Sequence, residues 1–121
     1  MKKIFIILLT FIMSCSISSR KKTTCTENKI FKNEFFNRIN YVEKNIYSHQ
    51  DSVFKNSLIF ISNYAPVSFY ETMNYARIYH SNVLEKDKLI WIKWYENNKC
   101  KNIQLKRNYP IPEQYKEFFE Y

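Results

Sequence analysis

Residues Val83 to Asn98, VLEKDKLIWIKWYENN, form the most strongly helical stretch of the sequence. Large apolar side chains recur along one face at helical spacing, at Leu84, Trp91, Trp94 and Tyr95. Leu89 and Ile92 lie on a second face, and a helix that is apolar on two sides is buried between neighbours. We therefore expect this segment, capped by Asn82 and Glu85, to be the central helix of the fold.

The composition favours helices, because the 121 residues include no glycine. An average chain of this length has about eight glycines. Phosphate-binding loops and nucleophile elbows need glycine, so nucleotide-binding and hydrolase sites of these types are disfavoured. At the end of the central helix, Asn97 and Asn98 can supply the left-handed residue that glycine usually supplies. Lys99 and Lys101 complement the negative end of the helix.

A second long helix is predicted from about Glu27 to Tyr47. Its apolar side chains recur at steps of four, four, three and four residues, at Phe31, Phe35, Ile39, Val42 and Ile46. Thr24 and Glu27 have the spacing of a capping box at its start. We expect the apolar stripe to face the core.

A shorter helix is predicted from about Val53 to Tyr64. Asp51 or Ser52 can cap it, and Pro66 ends it. Its buried side chains are expected to be Phe54, Leu58, Ile61 and either Tyr64 or Ala65. The continuous apolar run from residue 58 to residue 61 is also compatible with a buried strand.

The segment after Pro66 is predicted to be a third short helix or, alternatively, an ordered loop over residues 69–79. Ser68 and Glu71 have capping-box spacing, and a helix would place Phe69, Met73, Ala76 and His80 on one face. The segment holds the most ligand-like side chains of the chain: Tyr70, Tyr75, Arg77, Tyr79 and His80. Tyrosine and arginine are enriched at protein interfaces, which makes these residues the candidate partner-binding surface. The alternative is a helix pair with ordinary amphipathic tyrosines at its rim.

The spacing of apolar residues along the sequence changes after Cys100. Apolar and polar residues alternate from Asn102 to Tyr109, which predicts an extended segment. Pro112 suits the first turn of a last short helix, whose inner face is Tyr115, Phe118 and Phe119. The fold is therefore expected to be mainly α, with a single domain over residues 27–121. It would be a small helical bundle with a short extended C-terminal segment and a final short helix.

The end of the central helix carries a resemblance. Residues 91–99 follow the pattern Trp-x-x-Trp-Tyr-x-x-Asn-Lys. This pattern resembles the endings of uncharacterised bacterial exported proteins built from HEAT-like helical pairs. The resemblance implies a helical fold, with HEAT-like helix pairs as the alternative to a small bundle, and no activity follows from it.

The first sixteen residues have the layout of an export signal. Lys2 and Lys3 precede an apolar run from Ile4 to Met13, which is shorter than the about 20 residues that span a bilayer. Ile12-Met13-Ser14-Cys15 resembles the lipobox of bacterial lipoproteins. This resemblance implies that residues 1–14 are a signal peptide and that Cys15 is acylated and becomes the first residue of the mature protein. The alternative is an ordinary secretory signal with a chance cysteine.

Residues 15–26 are rich in Ser, Thr and Lys and are predicted to be a lipidated tether to the membrane. Arg20, Lys21 and Lys22 within it can attract an anionic leaflet. In the lipoprotein family, a non-acidic residue after the cysteine, here Ser16, usually directs the protein to the outer membrane of Gram-negative cells. The resemblance therefore implies a location in the cell envelope, facing the periplasm if the host is Gram-negative.

Lipidation of Cys15 would leave two cysteines, Cys25 and Cys100, in an oxidising compartment. An intrachain disulfide is their natural pairing. Two free or intermolecular thiols are the alternative.

No catalytic, metal or cofactor site is predicted. His49 and His80 are far apart in the sequence, and no His or Cys pair has zinc-ligand spacing. The carboxylates are scattered singly and form no evident acid and base pair. We therefore expect a non-enzymatic protein.

The formal net charge is +8, from 19 basic and 11 acidic residues, and two of the basic residues would leave with the signal peptide. A basic domain suggests an acidic partner or an anionic surface, although codon bias of an AT-rich genome can produce the same excess. Export disfavours nucleic acid as the partner. The first expectation is a small binding module of the cell envelope that engages an envelope or toxin protein, as an immunity protein does. The alternative is a structural or envelope-maintenance lipoprotein that contacts anionic lipid or cell wall.

Overall fold

The computed structural model describes residues 24–72 and 78–120. These residues contain four α-helices and a final 3-10 helix: α1 (Lys29–Lys44), α2 (Ser52–Ser62), α3 (Phe69–Thr72), α4 (Ser81–Asn98) and the 3-10 helix Glu113–Phe118. The described part of the chain has no strand and one isolated parallel bridge, between Thr26 and Lys101. This confirms the mainly α fold. None of the helices in the described ranges is long and apolar enough to cross a membrane.

Helix α1 runs antiparallel to both α2 and α4. At one end of α1, the Phe31 ring lies 4.9 Å from the ring of Tyr64, just after α2. At the other end, the Tyr41 hydroxyl donates to Asp51 Oδ2 over 2.7 Å, at the start of α2. The Phe35 ring near the start of α1 lies 5.4 Å from the Trp94 ring near the end of α4, and Glu43 at the end of α1 pairs with Lys88 in the first half of α4. Helix α4 therefore also runs antiparallel to α1.

The predicted apolar stripe of α1 is confirmed. Its members are all buried: Phe31, Phe35, Ile39, Val42 and Ile46. The predicted inner face of α2 is likewise buried, at Phe54, Leu58 and Ile61. Aromatic rings from α1, α4 and Tyr64 pack edge-on or tilted, which adds stabilisation beyond their buried area. Helical periodicity was thus sufficient to identify the core of this part of the molecule.

The prediction that α4 is buried on two faces is wrong. Leu84, Trp91 and Tyr95 are buried as expected. Leu89 on the second face is 69% exposed, because no described element packs over it. Helix α4 therefore packs through one face and leaves aliphatic side chains open to solvent.

The predicted bond between Cys25 and Cys100 is present, with 4.5 Å between the two Cα atoms. It joins the start of the domain to the end of α4. Two hydrogen bonds lie beside it, from the Asn102 backbone N–H to the Thr26 carbonyl (3.0 Å) and from Asn28 Nδ2 to the Ile103 carbonyl (2.7 Å). A cross-link over 75 positions in the sequence stabilises a fold by about 4 kcal/mol in the chain-entropy model.

One of the two predicted helix caps at α1 and α2 is present, and the other is replaced. Asn28 caps α1, since its Oδ1 accepts from the backbone N–H groups of Ile30 and Phe31 at 3.0 and 3.2 Å. The predicted Thr24–Glu27 capping box is therefore wrong. Asp51 caps α2 as expected, with Oδ1 2.8 Å from the Phe54 nitrogen.

Both ends of α4 also differ from prediction. The helix begins at Ser81 with His80 at the capping position, instead of Asn82. It ends with Lys99 in right-handed geometry, and the left-handed residue is Asn102, with φ of 48°. Asn98 is instead helical, with its side-chain amide donating to the Trp94 carbonyl over 2.7 Å.

The C-terminal segment crosses the domain before its short helix. Residues 102–112 form no strand. The isolated bridge to Thr26 is made by Lys101, just before this segment. Pro112 precedes the 3-10 helix, whose rings Tyr115, Phe118 and Phe119 are partly buried. They pack on Phe69 of α3, with the Tyr115 ring 4.6 Å away, as the predicted inner face requires.

Candidate functional site

The predicted partner-binding cluster does not form one exposed surface. Tyr70 is 81% exposed, whereas Tyr79 is 0% exposed and belongs to the core. His80 is exposed at the start of α4. Tyr75 and Arg77 lie outside the described residues, as do Met73 and Ala76. Tyr79 therefore cannot contribute to a partner surface.

A buried carboxylate explains the position of Tyr79. Asp87 of α4 is only 4% exposed, and its Oδ2 accepts a hydrogen bond from the Tyr79 hydroxyl. Ser68 supplies two more donors, its backbone N–H to Oδ2 (3.0 Å) and its hydroxyl to Oδ1 (2.7 Å). The hydroxyl that was predicted to cap α3 thus also donates to the carboxylate of Asp87.

Asp87, Ser68 and Tyr79 together form a buried polar centre. It holds the chain before α3 and residue 79 against α4. Burial, reinforced by the hydrogen bond to Asp87 and its charge, raises the pKa of Tyr79 far above its ordinary value of 10.0. Tyr79 thus stays protonated and keeps donating to the carboxylate at physiological pH. The three donors stabilise the buried carboxylate, which would otherwise be costly to desolvate.

A second layer of hydrogen bonds extends the centre toward α2. The Thr72 hydroxyl donates to the Ser68 carbonyl (2.6 Å), and Gln50 Nε2 donates to the Thr72 carbonyl (3.1 Å). Gln50 is buried, and its Oε1 has no hydrogen-bond partner among the described residues. Trp91 Nε1 donates to the Pro66 carbonyl over 2.7 Å, so the loop between α2 and α3 is also tied to α4.

Sequence reasoning missed Asp87, although a signal was present. Asp87 follows Leu84 by three positions and precedes Trp91 by four, so it falls on the apolar stripe of α4. A lone carboxylate on a buried stripe requires hydrogen-bond donors from neighbouring elements. The pattern could have predicted a buried polar centre, but not which donors would meet it.

An open groove lies between the second half of α1 and the exposed face of α4. Its volume is about 430 Å³, and it is lined by Glu43, Glu85, Lys88, Leu89 and Ile92. Lys88 Nζ and Glu43 Oε2 are 2.7 Å apart and neutralise each other. Glu85 has no ion pair among the described residues. The groove therefore combines aliphatic surface with one uncompensated carboxylate.

The described residues offer no metal site, since no three His, Cys, Asp or Glu side chains come together there. His49 and His80 are both exposed. The proposed lipidation position, Cys15, lies outside the described residues together with residues 1–14 and most of the tether.

Comparisons with protein-family models, with curated proteins and with solved structures gave no match for this chain.

Proposed function

We propose that the protein is a lipid-anchored component of the cell envelope whose helical domain is a small, non-enzymatic binding module. The observation that carries the anchor is the bond between Cys25 and Cys100. The chain has three cysteines. Two of them form this bond, so Cys15 is the cysteine that remains for acylation. Cys15 is also the residue that follows the apolar run and Ser14.

The disulfide also supports export. Such bonds form and persist in oxidising compartments and are rare in the cytosol. Export agrees with the charged and apolar start of the sequence. Two independent features therefore favour a location outside the cytoplasm.

The binding role is assigned to the groove between α1 and α4. Leu89 is exposed beside Ile92 and can take an aliphatic side chain of a partner. The carboxylate of Glu85 complements a basic group next to that side chain, because Lys88 is already paired with Glu43. The proposed occupant is an exported protein that presents an aliphatic residue flanked by a lysine or arginine.

The anchor is tested by intact-mass measurement of the protein purified from membranes of its own host. We expect a chain that starts at Cys15 and carries acyl mass, with two cysteines that are alkylated only after reduction. A mature chain without acyl mass would contradict the anchor and favour a freely secreted protein.

The groove is tested by placing a photo-reactive amino acid at Leu89 and, as a control, at Val53, an exposed aliphatic position on α2. We expect a discrete protein adduct in the host envelope from position 89 only, which Glu85→Lys abolishes. Tyr70→Ala serves as the control for the other exposed surface and should leave the adduct unchanged. An adduct that survives Glu85→Lys, or that depends on Tyr70, would overturn the groove assignment.

A further inference from the structure

Charge is distributed unevenly along the domain. The end that carries the disulfide, residues 24–32 and 96–107, has six basic side chains: Lys29, Lys32, Lys99, Lys101, Lys106 and Arg107. The same residues include two acidic side chains, Glu27 and Glu96. In the rest of the described domain, nine acidic side chains outnumber seven basic ones. The net positive charge of the described domain is therefore concentrated at the disulfide end.

Contacts place these two segments side by side. Asn28, which begins α1, bonds to the carbonyl of Ile103. Lys106 Nζ lies 5.4 Å from the centre of the Tyr64 ring, and that ring packs on Phe31 in the first turn of α1. The basic residues of both segments thus belong to one end of the molecule.

Part of this charge is uncompensated. Lys32 pairs with Glu27 and Lys99 pairs with Glu96. Lys29, Lys101 and Arg107 are exposed and form no ion pair within the described part of the chain. Lys101 Nζ donates to the neutral side chain of Asn98, so the charges of all three residues remain available to an anionic surface.

The same end exposes aliphatic side chains. Ile30 in the first turn of α1 is 70% exposed, and Leu105 is 40% exposed. Basic residues interspersed with exposed aliphatic ones are typical of surfaces that lie on the headgroup region of a bilayer.

The tether joins the domain at this end. Thr24 is the first described residue and precedes Cys25 of the disulfide. Cys15 is nine positions earlier, so even a fully extended tether reaches roughly 30 Å. A domain tied at this point keeps its disulfide end closer to the membrane than its opposite end.

We propose that the disulfide end, with Lys29, Lys101 and Arg107 at its surface, docks on an anionic phospholipid bilayer and orients the α1–α4 groove away from it. This inference rests on the lipid anchor proposed above. Glu43 and Lys88 of the groove lie at the far end of α1 and toward the start of α4, so docking leaves the groove accessible to a partner.

The test is amine footprinting of the purified membrane protein, read by mass spectrometry residue by residue. It compares vesicles of phosphatidylcholine alone with vesicles containing about one third phosphatidylglycerol. We expect labelling of Lys29, Lys101 and Lys106 to fall about fivefold or more on the anionic vesicles and to recover in high salt. Lys44, Lys55 and Lys86, at the opposite end, should be labelled equally on both.

A pair of matched variants sharpens the test. Lys101→Glu with Arg107→Glu should abolish the protection of Lys29, whereas Lys44→Glu with Lys86→Glu should preserve it. Equal protection at both ends, or protection of neither end, would overturn the proposal. Failure of the anchor would appear separately, as missing acyl mass on the same preparation, and the footprint of that chain on anionic vesicles would still test the surface.

Discussion

The two ends of α4 are held to the rest of the domain by different means. At its C-terminal end, a disulfide and a cluster of aromatic rings join α4 to α1. Toward its N-terminal end, the buried carboxylate of Asp87 collects hydrogen bonds from Ser68 and Tyr79. The first attachment depends on a covalent bond and apolar burial, and the second on complete satisfaction of a buried charge.

This difference predicts how each end responds to change. The cross-link acts mainly by restricting the unfolded chain, so its loss lowers stability without disturbing native packing. The polar centre tolerates no missing partner, because any donor or acceptor left unpaired in the core has a direct free-energy cost. Three measurements separate the two behaviours.

The largest effect is expected at the disulfide. Replacing both cysteines, Cys25→Ser with Cys100→Ser, should lower the free energy of unfolding by about 4 kcal/mol, measured by chemical denaturation. Adding a reductant to the natural protein should cause a similar loss and should leave the double variant unchanged. A loss below about 1 kcal/mol would show that the unfolded chain is already restricted at this end.

A smaller loss is expected at the polar centre. Asp87→Asn keeps the size of the side chain but removes the charge that accepts three hydrogen bonds, and should cost about 2–3 kcal/mol in the same assay. Glu85→Gln is the matched control, since Glu85 is an exposed carboxylate on the same helix and should change stability by less than about 0.5 kcal/mol. Combining Asp87→Asn with Tyr79→Phe should cost less than the sum of the two single changes, because the residues share one bond. Additive losses would contradict the coupling.

The smallest effect is a pH dependence at the disulfide end. The Tyr95 hydroxyl, and next the Lys32 amine, hold the pKa of Glu27 below its ordinary value of 4.5. The unfolded chain therefore takes up a proton at Glu27 before the folded one does. The stabilisation by Glu27 is complete above this ordinary value and is lost as pH falls through the lower folded pKa.

Glu27→Gln should accordingly flatten the fall of stability below about pH 4.5, measured by thermal unfolding across pH. Asp51 provides a comparison at the other end of α1, because the Phe54 backbone N–H and the Tyr41 hydroxyl lower its pKa from 3.8. Asp51→Asn should flatten the curve only below about pH 3.8. An unchanged pH profile in Glu27→Gln would contradict the role of the Tyr95 bond.

Much of the fold was predictable where a local pattern and burial coincide. The stripe of α1 and the inner face of α2 are buried as periodicity required. The prediction of helix caps was wrong where several neighbouring residues could have capped the same helix. Asn28 rather than Thr24 caps α1, and it does so where its amide also reaches the Ile103 carbonyl, a contact that sequence spacing does not reveal.

The candidate sites show the same division. Tyr79 and Tyr70 were both predicted to lie on the partner-binding surface. Tyr79 is in the core, however, and Tyr70 is exposed. Leu89 was expected to be buried because it widens the apolar surface of α4, but it lines an open groove. Which of these side chains meets a neighbour depends on the packing of α3 and α4, which lies beyond the reach of any local pattern.

The sequence by itself determined that the chain is mainly helical and which faces of α1 and α2 enter the core. These features follow from periodicity and from the absence of glycine, whereas the pairing of Cys25 with Cys100 was expected only if Cys15 is lipidated. Only the tertiary structure decided that Asp87 is a buried polar centre, that one face of α4 stays open and that the basic residues gather beside the disulfide. Each of these depends on segments distant in sequence meeting in space, because burial and charge clustering are properties of the packed chain.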